Sequence, residues 1–524
     1  MGDGRDPSLP WWALPRPVPQ GTAVPTCSAA DTDVALWTLP RRWSRDTRGT
    51  VTTPSASGPS TDRWPSQVKF IIGNEACERY SFYGMKGILA GYITGEVVRG
   101  GLGLTKDTAT VWIHLFIMAN YFMPLLGAYI SDRLWGRYKT ILWISLFYCA
   151  GHGVLALSDL TSSLESRTWM LWAGLALIAF GAGGIKPCVS AFMGDQFPAG
   201  KTRLYQKAYA AFYFSINFGS FFSFLTIPFI AKHHGYGWAF GIPGVLMGIA
   251  TLIFWSGRHR YTKVPPASET RSAGFFRVLW EALSHRQPGR GFWEGARGRF
   301  SAEEVSAAQS VLPVLSIFAL IPPFWAMFDQ HSSTWILQAE RMTPVQLSTS
   351  YSIGGEEMQS LNPLLVMLLV PLLTGVVYPL CGRLITPLRR IGLGMIIAAT
   401  SYLVVAWIQR RIEGGEQLSV LWQSVPYVII TTAEVLVSTT GLEFAYTQAA
   451  KSMKSIIMSF WLLTVAAGNG LVALITKLGG AGSHDASVTP GRFLMYALFT
   501  FGVSGAFLIV AMLYRYRDPA HEGH

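Results

Sequence analysis

The stretch GNEACERYSFYGMKG, residues 73–87, carries two glutamates, an arginine and a lysine between positions 75 and 86, inside a run that otherwise reads as membrane-spanning. A charge at the centre of a bilayer costs about 2.5–3.5 kcal/mol on insertion scales, so four in one segment point to a task. On a helix, Glu75, Glu78, Arg79, Phe82, Tyr83 and Lys86 fall at spacings of 0, 3, 4, 7, 8 and 11 and share a face. Ala76, Cys77, Met85 and Leu89 lie on the other side, which is expected to face outward. Carboxylates beside cations in a low dielectric suit proton exchange: protonating Glu75 or Glu78 releases Arg79 or another cation for a second partner. The competing reading is a salt-bridge ladder that only locks helices together.

The elements that hold this stripe follow from the rest of the chain. Of 524 residues, 50% are hydrophobic and 14% charged, against about 25% charged in a soluble domain. Mean hydropathy is +0.31. These values describe an all-α membrane protein crossing the bilayer many times. Apolar runs of spanning length occur at 67–95, 108–131, 138–158, 168–190, 207–231, 238–256, 311–337, 362–381, 385–408, 423–446, 454–477 and 492–514. That makes twelve transmembrane helices.

A net charge of +12 would suggest nucleic acid in a soluble protein. Here the basic residues gather in alternate loops, SDRLWGRYK (131–139), KTRLYQK (201–207), CGRLITPLRR (381–390) and the tail YRYRD, so the charge reports topology and no nucleic acid partner is expected. The connector 257–300 adds nine Lys/Arg against three Glu. The positive-inside rule places that side, and both termini, in the cytoplasm. Cys77, Cys149, Cys188 and Cys381 fall in spans without redox or metal spacing and read as packing residues.

Six spans, a basic connector and six more spans give a layout of two six-helix bundles with a site between them. Residues 1–63, rich in Pro, Ser, Thr and Gly, are expected to be a disordered extension. The bundles are assigned to 64–256 and 311–515, the connector to 257–310 and a cytoplasmic tail to 516–524. Within the connector, AGFFRVLWEALSHR (273–286) has amphipathic spacing suited to lying flat on the membrane. GAYISDRLWGR (127–137) and the weaker YPLCGRLITPLRR (378–390) each follow the second span of their half. Their G…DR…GR pattern resembles the loop signature of the major facilitator superfamily.

EACERYSFYGMK then resembles the E-x-x-E-R-[FY]-x-Y-Y-G signature of the proton-dependent oligopeptide transporter (POT/PTR) family, a branch of that superfamily. GAGGIKPCVSAFMGDQF (181–197), FYFSINFGSF (212–221), FWAMFDQHSSTW (324–335) and AEVLVSTTGLEFAYTQA (433–449) resemble the family's fourth, fifth, seventh and tenth helix motifs in order. The resemblance implies a proton-coupled symporter of di- and tripeptides that works by alternating access, needs no cofactor and is driven by a proton gradient. It implies that Lys86 and Lys186 face the peptide carboxylate, while Asn217, Asn362 and Glu434 hold the amino end and backbone. Tyr83, Tyr121, Trp325 and Trp461 would line side-chain pockets, with Ser438 among the contacts on the tenth helix. Proton coupling would fall to Glu75, Glu78, Arg79, Lys186 and His114, the last in IHLFIMANYFMPLLG, which resembles animal-type members. Lys86 and Asp329 would form an outer gate.

Three departures bear on substrate range. Phe82 stands where a second Tyr is usual, Lys86 replaces a frequent Arg and so loses a bidentate grip, and Ala433 replaces a Gly. Alternatives are a carrier of nitrate, histidine or a peptide-like drug, or a non-transporting sensor on the same fold. HExxH, GxSxG and Walker-type runs are absent from the spans, so no enzyme and no metal site is expected. The expected setting is a plasma or bacterial inner membrane, and the expected working unit a monomer.

Overall fold

The computed structural model describes residues 64–198, 202–266, 274–286, 291–382, 386–448, 450–479 and 486–514. Expectations for residues 1–63 and 516–524 lie outside the described residues. The first half contributes α1 (Val68–Gly87), α2 (Lys106–Tyr129), α3 (Arg137–Leu157), α4 (Leu164–Gly194), α5 (Thr202–His234) and α6 (Tyr236–Ser256). A connector helix, α7 (Phe275–Ser284), follows. The second half contributes α8 (Ala302–Phe318), α9 (Pro322–Ser332), α10 (Gly355–Cys381), α11 (Pro387–Glu413), α12 (Val420–Ala445), α13 (Lys454–Gly479) and α14 (Pro490–Leu513). A short hairpin, β1 (Val345–Gln346) with β2 (Ser352–Ile353), lies before α10.

Ten of these helices, α2 to α6 and α10 to α14, are long and apolar enough to cross a membrane. The pair α8 and α9 makes an eleventh crossing bent by 45°. This corrects the expectation of one continuous run over 311–337. The helix begins earlier, at Ala302, and breaks where Pro322 and Pro323 lack the N–H groups that would extend the ladder. The first helix, expected as one of twelve spans, is set apart by its charges from these long apolar helices. Its apolar run divides at Ile88 into α1 and a short helix, Leu89–Thr94.

The expected outward face of α1 is also corrected. Met85 and Leu89 are fully buried, and no residue from Phe70 to Gly87 is exposed. Polar bonds on that side hold the helix inside the body: Asn74 Nδ2 donates to Ala250 O at 2.9 Å, and Ser81 Oγ donates to Pro243 O at 2.6 Å and lies 3.0 Å from His152 Nε2. The lipid-facing surface belongs to other helices, where Trp143, Leu252, Leu368 and Leu498 are exposed. The connector helix α7 is not laid on the bilayer by one face alone. Phe275, Val278 and Ala282 are buried, and the rings of Phe275 and Phe276 sit 6.0 Å from Phe460 of α13.

Several hydrogen bonds and ion pairs join α1–α6 to α8–α14 in the part of the body where α2, α10 and α14 begin and α5 ends. Asp107 accepts from the backbone N–H of Ser487 at 2.7 Å and of Ala486 at 3.1 Å. Tyr351 donates to Leu225 O at 3.0 Å, and Gln359 Nε2 to Gly87 O at 3.0 Å. Lys232 pairs with Glu357 at 2.6 Å and Lys106 with Glu340 at 3.5 Å.

Close helix crossing fixes the depth of the central residues. A side chain at Gly127 of α2 would run into the backbone carbonyl of Gly184 on α4, so glycine there lets the helices touch. Overpacking a well-filled contact costs about 1–3 kcal/mol. Gly127→Val is therefore expected to lower the thermal unfolding midpoint of the purified protein, whereas Gly153→Ala, which meets nothing within 4 Å, leaves it unchanged or slightly higher. Parallel melts of the two variants check this.

Candidate functional site

The stripe on α1 forms as its spacing requires. Arg79 Nε lies 2.8 Å from Glu75 Oε1, one turn back, and 2.6 Å from Glu78 Oε2. The first contact is a hydrogen bond. The second is charge proximity only, and both Glu78 oxygens are buried without a hydrogen-bond partner. The buried Tyr148 hydroxyl of α3 also lacks a partner and lies near Glu78.

Lys186 of α4 stands beside this group. Its Nζ donates to Asn120 Oδ1 at 3.2 Å and sits 4.8 Å from the Phe82 ring centroid and 4.4 Å from that of Tyr121. The two rings cage the ammonium by cation–π attraction. Gly183, three residues earlier, allows this approach, since a Cβ there would stand 2.6 Å from Asn120 O. Phe82, where the family resemblance suggested a hydroxyl, thus supplies a ring face to Lys186.

The other half presents the opposing acid. Asn362 Nδ2 of α10 donates to Glu434 Oε2 at 2.7 Å and to Thr431 Oγ1 at 3.2 Å. Glu434 ends the regular α-helical part of α12, and a π turn over Val435–Thr439, containing Ser438, follows it. Such bulges re-aim side chains inside a helix and often occur at functional sites. Tyr83 faces Arg79 and Glu78 on its own helix and Glu434 and Asp329 across the seam. Lys86 lies 3.7 Å from Asp329 Oδ1 and within reach of Glu434.

His114 belongs to a relay that crosses the seam. Its Nδ1 is 2.7 Å from Asn469 Oδ1 and its Nε2 is 2.8 Å from Ser333 Oγ. Asn469 Nδ2 in turn donates to Asp329 Oδ2 at 2.7 Å. Lys86, Asp329, Asn469, His114 and Ser333 therefore form one chain of contacts drawn from α1, α9, α13, α2 and the turn after α9. Asn469 and Ser333 escaped the sequence reading, as did Asn120, Gln359 and the buried His331 beside Asp329. Polar residues in otherwise apolar runs were the available signal.

The remaining expected site residues are less central. Asn217 Nδ2 donates to Tyr213 O of its own helix at 3.0 Å. Trp325 donates from Nε1 to Thr464 Oγ1 at 3.1 Å and meets Trp461 edge to face at 6.2 Å. Both tryptophans are buried, and Trp461 lies so close over Gly441 that no side chain fits there. They form a wall between α9, α12 and α13.

A helical body of this design, with its charges gathered inside, is that of a membrane transporter of the major facilitator fold. The chain belongs to the POT family, whose pattern matches residues 138–489. It is 38% identical over 367 residues to Peptide transporter family 1 of Drosophila melanogaster, covering 67% of this chain and 48% of that protein. It is 36% identical over 369 residues to Solute carrier family 15 member 2 of Homo sapiens, covering 67% and 50%. The chain spans about half the length of the curated relatives it matches. An in meso crystal structure of a POT family transporter superposes with a TM-score of 0.79 at 40% identity, covering 87% of this chain and 99% of that one.

Removing the amide at position 469 strands polar groups on both sides of the seam. A buried group left without its hydrogen bond costs about 1–3 kcal/mol. Asn469→Ala is expected to destabilise the protein by that amount and by more than Ser333→Ala, which leaves the His114–Asn469–Asp329 links in place. Chemical or thermal unfolding of both variants tests the order.

Proposed function

We propose that this chain is a proton-coupled symporter that carries di- and tripeptides inward by alternating access, with no cofactor and the proton gradient as its energy source. The observation that carries the reading is the meeting inside the protein of three cations, Arg79, Lys86 and the half-buried Lys186, with four carboxyls, Glu75, Glu78, Asp329 and the half-buried Glu434. One proton on any of the four brings the group to neutrality, and neutrality is what a low dielectric rewards. A peptide is a zwitterion, so receptors of opposite sign on opposite halves grip both of its ends while leaving its side chains free. Lys186 and Lys86 receive the carboxylate; Glu434 and Asn362, with Asn217, receive the amino end and backbone. Tyr83, Tyr121, Trp325, Trp461 and Ser438 border the side-chain space.

Coupling follows from competition. While Glu78 is ionised it holds Arg79 and attracts Lys186; protonated, it frees them for the peptide carboxylate. Lys86 with Asp329, joined through Asn469 to His114, gates one end. One charge moving down 100 mV is worth about 2.3 kcal/mol, enough for roughly fifty-fold accumulation. The names of the relatives support the substrate class. The basic loops support an orientation with both termini in the cytoplasm of a cell membrane; we propose further that two bundles at 64–256 and 311–515 move about the 257–310 connector and that the monomer is the working unit.

Uptake of a labelled dipeptide into proteoliposomes with an imposed proton gradient tests the reading. Uptake is expected to require the gradient, to collapse with an uncoupler and to fall at least about tenfold in Lys186→Ala and in Glu434→Ala, each missing about 1.4 kcal/mol or more of charge-assisted binding. Uncoupler-insensitive or absent uptake across a broad peptide panel would overturn it. For Glu78→Gln, which keeps size but cannot ionise, counterflow down a peptide gradient is expected to persist while proton-driven accumulation is lost. Full accumulation in that variant would move the coupling site elsewhere, with His114 next.

A further inference from the structure

One half-buried acid at the joined end takes no part in the site described above. Glu356 lies in the first turn of α10, and its carboxyl reaches across the seam into the first six helices. A Cβ on Gly91 of the short helix Leu89–Thr94 would run into Glu356 Oε1 and stand 3.4 Å from the Tyr236 hydroxyl of α6. Glycine at 91 is thus the space into which the carboxyl fits.

The groups facing Glu356 do not neutralise it. On its own element is Glu357, which is bound to Lys232 of α5 at 2.6 Å and also accepts from Gly354 N at 2.8 Å. Before the hairpin is Glu340, which pairs with Lys106 of α2 at 3.5 Å and accepts from Thr94 at 3.1 Å. On α6 and the short helix are the phenols Tyr236 and Tyr92, whose rings meet edge to face at 4.9 Å. Two lysines therefore serve three glutamates. Among the described residues, the Glu356 carboxyl has neither an ion pair nor a hydrogen bond, and it is the one pressed against the opposite half.

We propose that Glu356 is a proton-binding residue of this seam: the end closes with the Glu356 carboxyl protonated, and opening releases that proton to the solution on the same side. Closed, an ionised carboxylate would sit against the Gly91 backbone beside two other carboxylates and a phenol oxygen. Open, water solvates it. Closure then takes up one proton and opening returns it, so rising pH favours the open end. This proton is separate from any bound near Arg79. Its place in a transport cycle rests on the alternating-access reading, but the closure itself requires no peptide.

The test needs no substrate. In a background with the five native cysteines replaced, spin labels at Val98→Cys and Leu347→Cys, both exposed near the seam, report its opening by electron–electron distance measurements in nanodiscs. Between about pH 5 and about pH 9, the open-to-closed ratio is expected to rise by up to about tenfold per pH unit for one coupled proton. Glu356→Gln should lose one proton's worth of that slope and stay closed at high pH. Glu356→Met, a second neutral side chain of similar length, should match it, whereas Glu356→Asp should keep a pH-dependent opening. An unchanged slope in Glu356→Gln and Glu356→Met, or a parent protein whose distances do not respond to pH, would overturn the proposal. Loss of peptide uptake with the distance response intact would count against the transport reading and leave this one standing.

Discussion

The internal charges constrain almost everything else in this molecule. A bilayer offers no water to Arg79, Lys86 or Lys186, so each must find its counter-charge, donor or ring face inside the protein. Arg79 takes two glutamates of its own helix, Lys186 takes Asn120 and two aromatic faces, and Lys86 takes Asp329 from the other half. The helices must come close enough to supply these partners, and the paired glycines at 127 and 184 let them. Surrounding α1 on every side follows from the same need. On its less polar face Asn74 and Ser81 find their partners inside the protein, and Ala76 and Cys77 are partly covered.

The two halves are joined by charges and amides as well as by apolar packing of α2 on α13. Polar contacts suit the opening and shutting that the proposed alternating access requires. Polar contacts can be exchanged for water at little net free energy, since each bond broken inside is replaced by one to solvent. An apolar seam of the same area would have no such replacement and would resist opening in proportion to the surface exposed. The contrast within the body is direct: around Trp461, where α12 and α13 belong to the same half, the packing is aromatic and tight against Gly441.

Much of this was legible in the sequence because charged residues in an apolar run are conspicuous. Glu75, Glu78 and Arg79 stood out by residue type, and helical spacing alone placed them on one face, whereas Lys186, Asp329 and Glu434 were reached through motifs that resemble the family's. The partners that complete them were not legible. Asn469 lies 355 positions from His114, and nothing in local periodicity joins the two. Ser333 and Asn120 are uncharged and common in membrane helices, so their being polar in an apolar run was a weaker signal than a charge. The outward face of α1 was misjudged because a hydrophobic pattern distinguishes polar from apolar, while burial inside a large membrane protein accepts both. The division of the seventh span reflects Pro322 and Pro323, which were visible, but whether proline kinks or ends a helix depends on what neighbours can satisfy the freed carbonyls.

Asp107 holds the start of α14 by the main-chain N–H groups of Ala486 and Ser487, not by their side chains. A bond of that kind is blind to the identity of the residues that donate it. Nearly any amino acid at 486 could still provide the donor, proline excepted, while 487 is more restricted because Ser487 is buried and also accepts a hydrogen bond from Thr110. The receiving side has no such freedom, because only a short acid at 107 matches two adjacent donors. Mutational drift should therefore fall unevenly across this one contact, freer to rewrite one strand of it and confined to a single residue on the other.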